Sequence, residues 1–212
     1  GAPLRRGSSG PNVVVIQVAL NRISQNYPAI PKLASVDGIF GSRTEASVRK
    51  FQEIFGLTVD GIVGNNTWNA LAPYINGYFI YTVRSGDTLF SLANRYSTTI
   101  NRIIAANSNI NPNNLTIGQR IIIPFTSIVP TNISYTYPIM QMNINSLKTV
   151  FPFIETGSIG NSVLGNRIPY IRIGNGQKEI FYNASFHANE WITTPVLLKF
   201  VEELASARAL GR

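Results

Sequence analysis

"SGDTLFSLANRYSTTINRIIAANSNI", residues 85–110, carries two helix signals in close succession. Leu89, Leu92, Ala93 and Tyr96 recur at i, i+3, i+4 and i+7, the spacing of one helix face. Asp87, in the turn Ser85-Gly86-Asp87-Thr88, is placed to cap that helix. A second cap at Thr98 precedes Ile100, Ile103 and Ile104. Upstream, "YFIYTV" (78–83) alternates like a strand. Downstream, "NSNINPNNL" (107–115) reads as a loop, Gly118 turns the chain, and "RIIIP" (120–124) closes with a second strand. The order is strand–helix–helix–strand.

This βααβ segment, with "SGDTL", "IAANSNI" and the Leu115-x-Ile117-Gly118-Gln119-x-Ile121-x-Ile123-Pro124 ending, resembles the LysM domain. The resemblance implies binding of N-acetylglucosamine-containing glycans in a shallow groove between the first strand–helix loop and the second helix–strand loop. Carried over, it sets Gly86, Asp87, Thr88 and Leu89 opposite Asn109, Ile110 and Asn111. Backbone groups of these loops would meet the acetamido group, and Leu89 and Ile110 would pack the apolar face of the sugar. Helix capping alone is the plainer reading of Asp87 and Thr88, and the two roles are compatible.

Working outward to the N-terminus, an Asp-Gly-Ile-x-Gly unit beginning at Val36 recurs at Val59. Each Asp-Gly supplies a turn with a residue free to take positive φ, and each final glycine precedes a helix start. Ser42 and Glu45 have the spacing of a capping box, and Asn65 or Asn66 can cap the second helix. Val48, Phe51 and Phe55 recur at helical spacing before a terminating Gly56, and Trp68 and Leu71 are the expected buried residues of the next helix. Val13, Ile16, Leu20 and Ile23 form a third stripe, so the expectation is a small three-helix bundle. "LRRGSSGPNVVVIQVAL", "VDGIFGSRTEASVRKFQ" and "GLTVDGIVGNNTWNAL" together resemble the peptidoglycan-binding-domain-1 family. That resemblance implies wall binding without naming the side chains that touch the ligand, and Asp37 and Asp60 read first as turn residues.

The third segment changes texture. "TSIVPTNISY" (126–135) has no charge and carries Pro130, and reads as part of a linker over 126–136. Met140, Ile144, Leu147 and Val150 then form a helical stripe ended by Phe151-Pro152. "NRIPYIRIGNGQKEIFYNASFH" (166–187) reads as two strands around a turn at Asn175-Gly176, and "TPVLLKFVEELASA" as a helix with Pro195 in its first turn. His187, the only histidine, falls at the expected strand end and Glu190 at the start of that helix. An imidazole and a carboxylate at this spacing supply the nitrogen and oxygen donors that zinc favours.

"SIGNSVLGNRIPYIRIGNGQKEIFYNASFHANEWITTPVLLKFVEEL" resembles the N-terminal part of the M14 zinc carboxypeptidase family. The resemblance implies an α/β domain with a mixed sheet, in which His187 and Glu190 are two of three protein ligands to one Zn2+. Glu190 would be a ligand and not the catalytic base. The third ligand lies beyond the matched portion, and the general base is expected beyond Arg212, so no catalytic residue is assigned within the chain. Asn189 stands where many relatives carry arginine, a departure that bears on carboxylate recognition. The fold class expected is thus multidomain: a helical bundle over 1–76, a βααβ LysM module over 77–125, a linker, and a partial α/β metallopeptidase segment over 137–212.

Composition narrows the function classes. The net charge of +8 is spread as +3, +3 and +2 over 1–76, 77–126 and 127–212, unlike the concentrated basic patch of a nucleic-acid binder. It suits weak attraction to a polyanionic wall. No stretch approaches the ~20 apolar residues of a membrane span, and "VVVIQVAL" (13–20) reads as a core helix and not a signal peptide. With no cysteine, no disulfide contributes to stability. The leading expectation is a zinc peptidase of the bacterial cell wall or spore wall. Its partners would be peptidoglycan glycan and stem peptide, through the γ-D-glutamyl–diaminopimelate bond, with no nucleic acid and no membrane span. The alternative is a non-catalytic glycan-binding module carrying a remnant peptidase segment. A purely structural coat or wall protein has only the modules themselves to support it. Either way residues 1–125 are expected to be rigid and soluble, and 137–212 protease-sensitive or prone to association.

Overall fold

The computed structural model describes residues 3–131, 133, 135–187 and 189–212. Asn132 and Ser134 of the expected linker, and Ala188 between His187 and Glu190, lie outside the described residues. The chain divides into two compact units, 1–77 with 132–139, and 78–131 with 140–212.

The first unit contains α1 (Pro11–Asn26), α2 (Ser42–Ile54) and α3 (Asn65–Asn76). Pro11 opens α1, where its missing N–H has no intrahelical partner to lose. Val13, Ile16, Leu20 and Ile23 are fully buried, and α1 packs against both other helices. Val48, Phe51 and Leu71 are buried as well, while Phe55 and Trp68 are half-buried. Gly56, at φ 66°, ends α2: its N–H donates to the Glu53 carbonyl and the Leu57 N–H to the Gln52 carbonyl. That pair of bonds needs a left-handed residue, which glycine supplies without a Cβ penalty.

The caps differ from the sequence expectation. The N-caps of α2 and α3 are Gly41 and Gly64, with no side-chain cap, so Ser42 and Asn65 are first helical residues and no Ser42–Glu45 capping box forms. Glu45 instead pairs with Arg49 at 3.1 Å.

What holds the two Asp-Gly loops is a buried glutamine in each. Gln17 is 2% exposed; its Nε2 donates to Asp37 Oδ1 (2.9 Å), the Ile39 carbonyl (3.1 Å) and Thr44 Oγ1 (3.2 Å), and its Oε1 accepts from the Gly38 N–H (2.9 Å). Gln52, 1% exposed, repeats the set with Asp60 (2.8 Å), the Ile62 carbonyl (3.0 Å), Thr67 (3.1 Å) and the Gly61 N–H (2.9 Å). Each aspartate also accepts the N–H two residues on, from Ile39 and from Ile62. The repeat legible at Val36 and Val59 is therefore one polar device built twice.

In the second unit, β1 (Tyr78–Thr82) pairs antiparallel with β2 (Arg120–Pro124), Tyr78 opposite Pro124 and Thr82 opposite Arg120. Between them lie α4 (Leu89–Arg95) and α5 (Ile100–Ala105). Tyr81, Val83, Leu89, Leu92, Ala93, Ile103, Ile121 and Ile123 form one core. Asn107 ties helix to sheet: its Nδ2 donates to the Ile103 and Ile122 carbonyls, and its Oδ1 accepts from the Ile122 N–H. Here too the caps shift by one residue. Thr88, not Asp87, caps α4, in a reciprocal box with Ser91, and Thr99, not Thr98, caps α5. Asp87 is drawn away by the Arg84 N–H and the Tyr81 hydroxyl, which its Oδ2 accepts at 2.7 and 2.8 Å.

Farther on come α6 (Tyr137–Val150), β3 (Glu155–Asn161), β4 (Arg167–Arg172) and α7 (Thr193–Ala209). Ile144, Leu147 and Val150 are buried along α6. The strand pairing departs from expectation. The hairpin joins β3 to β4 through a turn at 162–166, with a bulge between Ser158 and Gly160, and residues 173–192 hold no strand among those described. Asn175-Gly176 is no hairpin turn, and His187 sits at no strand end. β4 pairs with the 155–161 segment, residues 177–187 form no ladder among those described, and Ile180 and Phe181 are 77% and 79% exposed. The expected mixed sheet is represented among the described residues by this two-stranded antiparallel hairpin.

The paired networks make two measurable demands. Replacing Gln52 by Leu strands the Gly61 N–H and should cost about 1–3 kcal/mol in urea unfolding. Trp68 fluorescence in a Trp191→Phe background reads this unit alone, and a loss under about 0.5 kcal/mol would show the network to be dispensable. The Asp37 carboxyl is held below its ordinary value first by the Gln17 amide and then by the Ile39 N–H, and that of Asp60 first by the Ile62 N–H and then by Gln52. Depressed folded values mean stability that is full above the unfolded value of about 3.9 and lost as pH falls through the folded values. Acid unfolding of this unit should begin below about pH 4 and flatten in the Asp37→Asn/Asp60→Asn double variant, as followed by the same fluorescence.

Candidate glycan and metal sites

His187 and Glu190 meet. His187 Nδ1 lies 3.1 Å from Glu190 Oε1, with the two side chains 68% and 47% exposed. The turn that joins them closes through the Glu190 N–H to the His187 carbonyl at 3.0 Å. It is fastened to the start of α7 by hydroxyls. Thr193 Oγ1 donates to the Glu190 carbonyl (2.8 Å) and accepts from the Ser185 N–H (2.6 Å), while Ser185 Oγ lies 2.6 Å from Thr194 Oγ1. Ser185 takes positive φ, 54°, to make these contacts. Glu190 therefore precedes α7 by a short turn and does not begin it. The two side chains hydrogen-bond to each other on the surface, and they are the nitrogen and oxygen donor types that a borderline-soft divalent ion favours. No group of three His, Cys, Asp or Glu residues able to hold a metal is found among the described residues. At the far end of α7 the Arg212 N–H donates to the Ala207 carbonyl at 3.0 Å.

In the second module, Gly86 takes φ 83°, a conformation that favours glycine. Asp87 fixes the turn before it, and its carboxyl is held below the ordinary value first by the Arg84 N–H, then by the Tyr81 hydroxyl and the nearby Arg95 guanidinium. Asn111 Oδ1 accepts the Asn113 N–H at 3.0 Å and shapes the facing loop. Leu89 and Ile110 bring the two loops together from inside, because both pack in the same core. This corrects the expectation for Leu89: at 4% exposure its side chain has no face to offer a sugar. Phe90, the next residue, is 67% exposed. Its place off the buried i, i+3, i+4 face was the available signal, and sequence reasoning passed over it. The first unit adds a groove of about 240 Å³ lined by Gln17, Leu33, Ser35, Asp37, Ile39 and Arg43.

Comparison with known proteins follows the same three-part order. Residues 9–71 match the family model described as a peptidoglycan binding domain, 81–124 the LysM domain, and 140–209 zinc carboxypeptidase. The matches to the peptidoglycan binding and LysM models thus precede the match to the zinc carboxypeptidase model. The chain is 44% identical to gamma-D-glutamyl-L-diamino acid endopeptidase 1 of Lysinibacillus sphaericus, over 57% of this chain and 44% of that protein. It is 38% identical to the zinc D-Ala-D-Ala carboxypeptidase of Streptomyces albus G, over 32% of this chain and 25% of the relative. To the spore cortex-lytic enzyme of Bacillus cereus it is 42% identical, over 30% and 22%. The chain thus spans less than half the length of each of these relatives. No helix among the described residues is long and apolar enough to cross a membrane.

Proposed function

We propose that this chain is the wall-binding and zinc-ligating part of a peptidoglycan peptidase that acts on stem peptides, at the bond between γ-D-glutamate and the diamino acid. The observation that carries this reading is the His187–Glu190 contact inside the segment that matches zinc carboxypeptidase, downstream of segments that match a peptidoglycan binding domain and LysM. The name of the Lysinibacillus sphaericus relative supports the choice of bond. The site of action is the bacterial cell or spore wall.

In this reading the division of the chain follows chemistry. Residues 1–76 and 77–125 bind wall polymer, and tandem contacts raise apparent affinity because the second becomes intramolecular. The glycan seat is formed by Gly86, Asp87, Thr88 and the backbone of Leu89 on one side and Asn109, Ile110 and Asn111 on the other. Thr88 uses its hydroxyl in the helix cap, so the loop meets an acetamido group chiefly through backbone donors and acceptors. Phe90 supplies the exposed apolar surface for a sugar ring. His187 and Glu190 would hold the ion, and Ser185, Thr193 and Thr194 hold the turn that presents them. Zinc, when bound, supplies Lewis-acid chemistry toward a carbonyl. With Glu190 as a ligand, it would not be available as the general base.

Co-sedimentation with purified peptidoglycan and equilibrium dialysis against zinc test both halves. The 212-residue polypeptide should be retained on the wall, with retention reduced roughly tenfold by Phe90→Ala, a loss in the range of one stacking contact. It should take up zinc weakly, release it on dialysis, and lose uptake in His187→Ala while keeping wall retention. Muropeptide mass spectrometry should show no stem-peptide cleavage by this polypeptide alone. Failure to bind the wall, or zinc uptake indifferent to His187, would overturn the assignment.

A further inference from the structure

We infer that Glu202 locks α7 onto the βααβ module, so that the turn bearing His187 and Glu190 stands at a fixed offset from the glycan loops. Glu202 is fully buried. Its Oε1 accepts from Arg102 Nη1 at 2.8 Å and from the Ile128 N–H at 3.0 Å, and its Oε2 from the Val129 N–H at 3.2 Å and Lys199 Nζ at 3.1 Å. Both oxygens of one carboxylate are thus doubly bonded, to three separate parts of the chain. Arg102 belongs to α5, 100 residues away in sequence, and its other nitrogen reaches Glu203 at 3.2 Å. Lys199 bonds Glu203 as well, at 2.9 Å, and Ser127 at 3.2 Å. Two cations and two carboxylates balance within the cluster.

The rest of the contact is apolar. Pro195, Leu198 and Ala205 share the buried face of α7 with Glu202, and Ile128 and Val129 are fully buried in the segment read from sequence as a linker. A carboxylate in such a face has strict requirements. Stripped of water, it is tolerated only where a guanidinium and backbone N–H groups are aimed at it, so the docking has one register. An unspecific apolar collapse would have no use for it.

The lock connects two places already described. Behind Arg102, α5 leads through Asn107 into the loop of Asn109, Ile110 and Asn111. Ahead of Glu202, α7 runs back roughly 14 Å to Thr193, at 1.5 Å per residue, where the hydroxyls of Thr193 and Thr194 hold the metal turn. A glycan seated in the module would therefore set the position of the strand relative to the ligand pair. That use of the lock rests on the proposed function; the lock itself does not.

The chain has no cysteine, so paired labels can be placed cleanly. Asn113→Cys and Val196→Cys, both at exposed positions, would carry spin labels for dipolar distance measurement, with hydrogen exchange read on the same samples. The parent should give one narrow distance distribution. Arg102→Met and Glu202→Met should each broaden it and remove exchange protection from residues 197–207, while β1 and β2 keep theirs. A broad distribution in the parent overturns the lock. So does a narrow one that survives both substitutions, or loss of β1–β2 protection together with α7. None of these readouts involves wall or zinc, so the failure of this inference leaves the proposed function standing. Limited proteolysis gives an independent check: cleavage should fall within 173–190, with α7 remaining attached to the module, and early digestion of α7 would count against it.

Discussion

Backbone groups in a loop that has left its helix must still find hydrogen-bond partners when the loop is packed away from water. In this molecule that constraint is met repeatedly by single buried polar side chains. Gln17 and Gln52 each satisfy a glycine N–H and a carbonyl in an Asp-Gly loop. Asn107 satisfies two carbonyls and an N–H at the edge of the β1–β2 pair. Glu202 takes the N–H groups of Ile128 and Val129. Each side chain converts an irregular segment into a fixed one, and the apolar packing of both units is organised around these points.

The functional reading depends on the same use of fixed loops. A shallow glycan seat has no deep pocket to preorganise its ligand, so the rigidity of its walls matters more than their number of groups. Asp87, Thr88 and Asn111 are committed to shaping the walls, which leaves backbone atoms and an exposed ring to meet the sugar. The metal turn shows the contrast. His187 and Glu190 are close together but exposed, held from one side by Ser185 and the first threonines of α7. In the proposed reading these two donors would form one corner of a metal site, with the rest of the coordination coming from other groups.

Much of this was legible in the sequence. Helix faces were given by apolar spacing: Val13, Ile16, Leu20 and Ile23, or Leu89, Leu92 and Ala93, are buried as their periodicity demands. So were the two strands of the second module, the repeated Asp-Gly turns and the closeness of His187 to Glu190, because each is a local pattern whose physics acts over a few residues. In α2 and α3 a glycine takes the cap position ahead of the expected polar residue. In α4 and α5 the cap moved by one residue because neighbouring Ser, Thr and Asp are interchangeable as local signals. Which one serves is decided by what else competes for its oxygen. Asp87 is claimed by Tyr81 and the Arg84 N–H, so Thr88 caps.

The sequence by itself determined most helices and turns, which follow from apolar spacing and turn chemistry. The order of three family segments and the candidate ligands His187 and Glu190 were read from resemblance to known families. Tertiary structure alone decided strand pairing beyond residue 150, where β4 has its ladder with β3 and not with the equally strand-like 177–187. It alone decided that a buried helix glutamine anchors each Asp-Gly loop, and that Glu202 meets Arg102. The physical reason is common to all of them. Burial of a strand edge or a polar group is favourable only against a partner of matching geometry, and the partner lies where the fold, and not the neighbouring sequence, has put it.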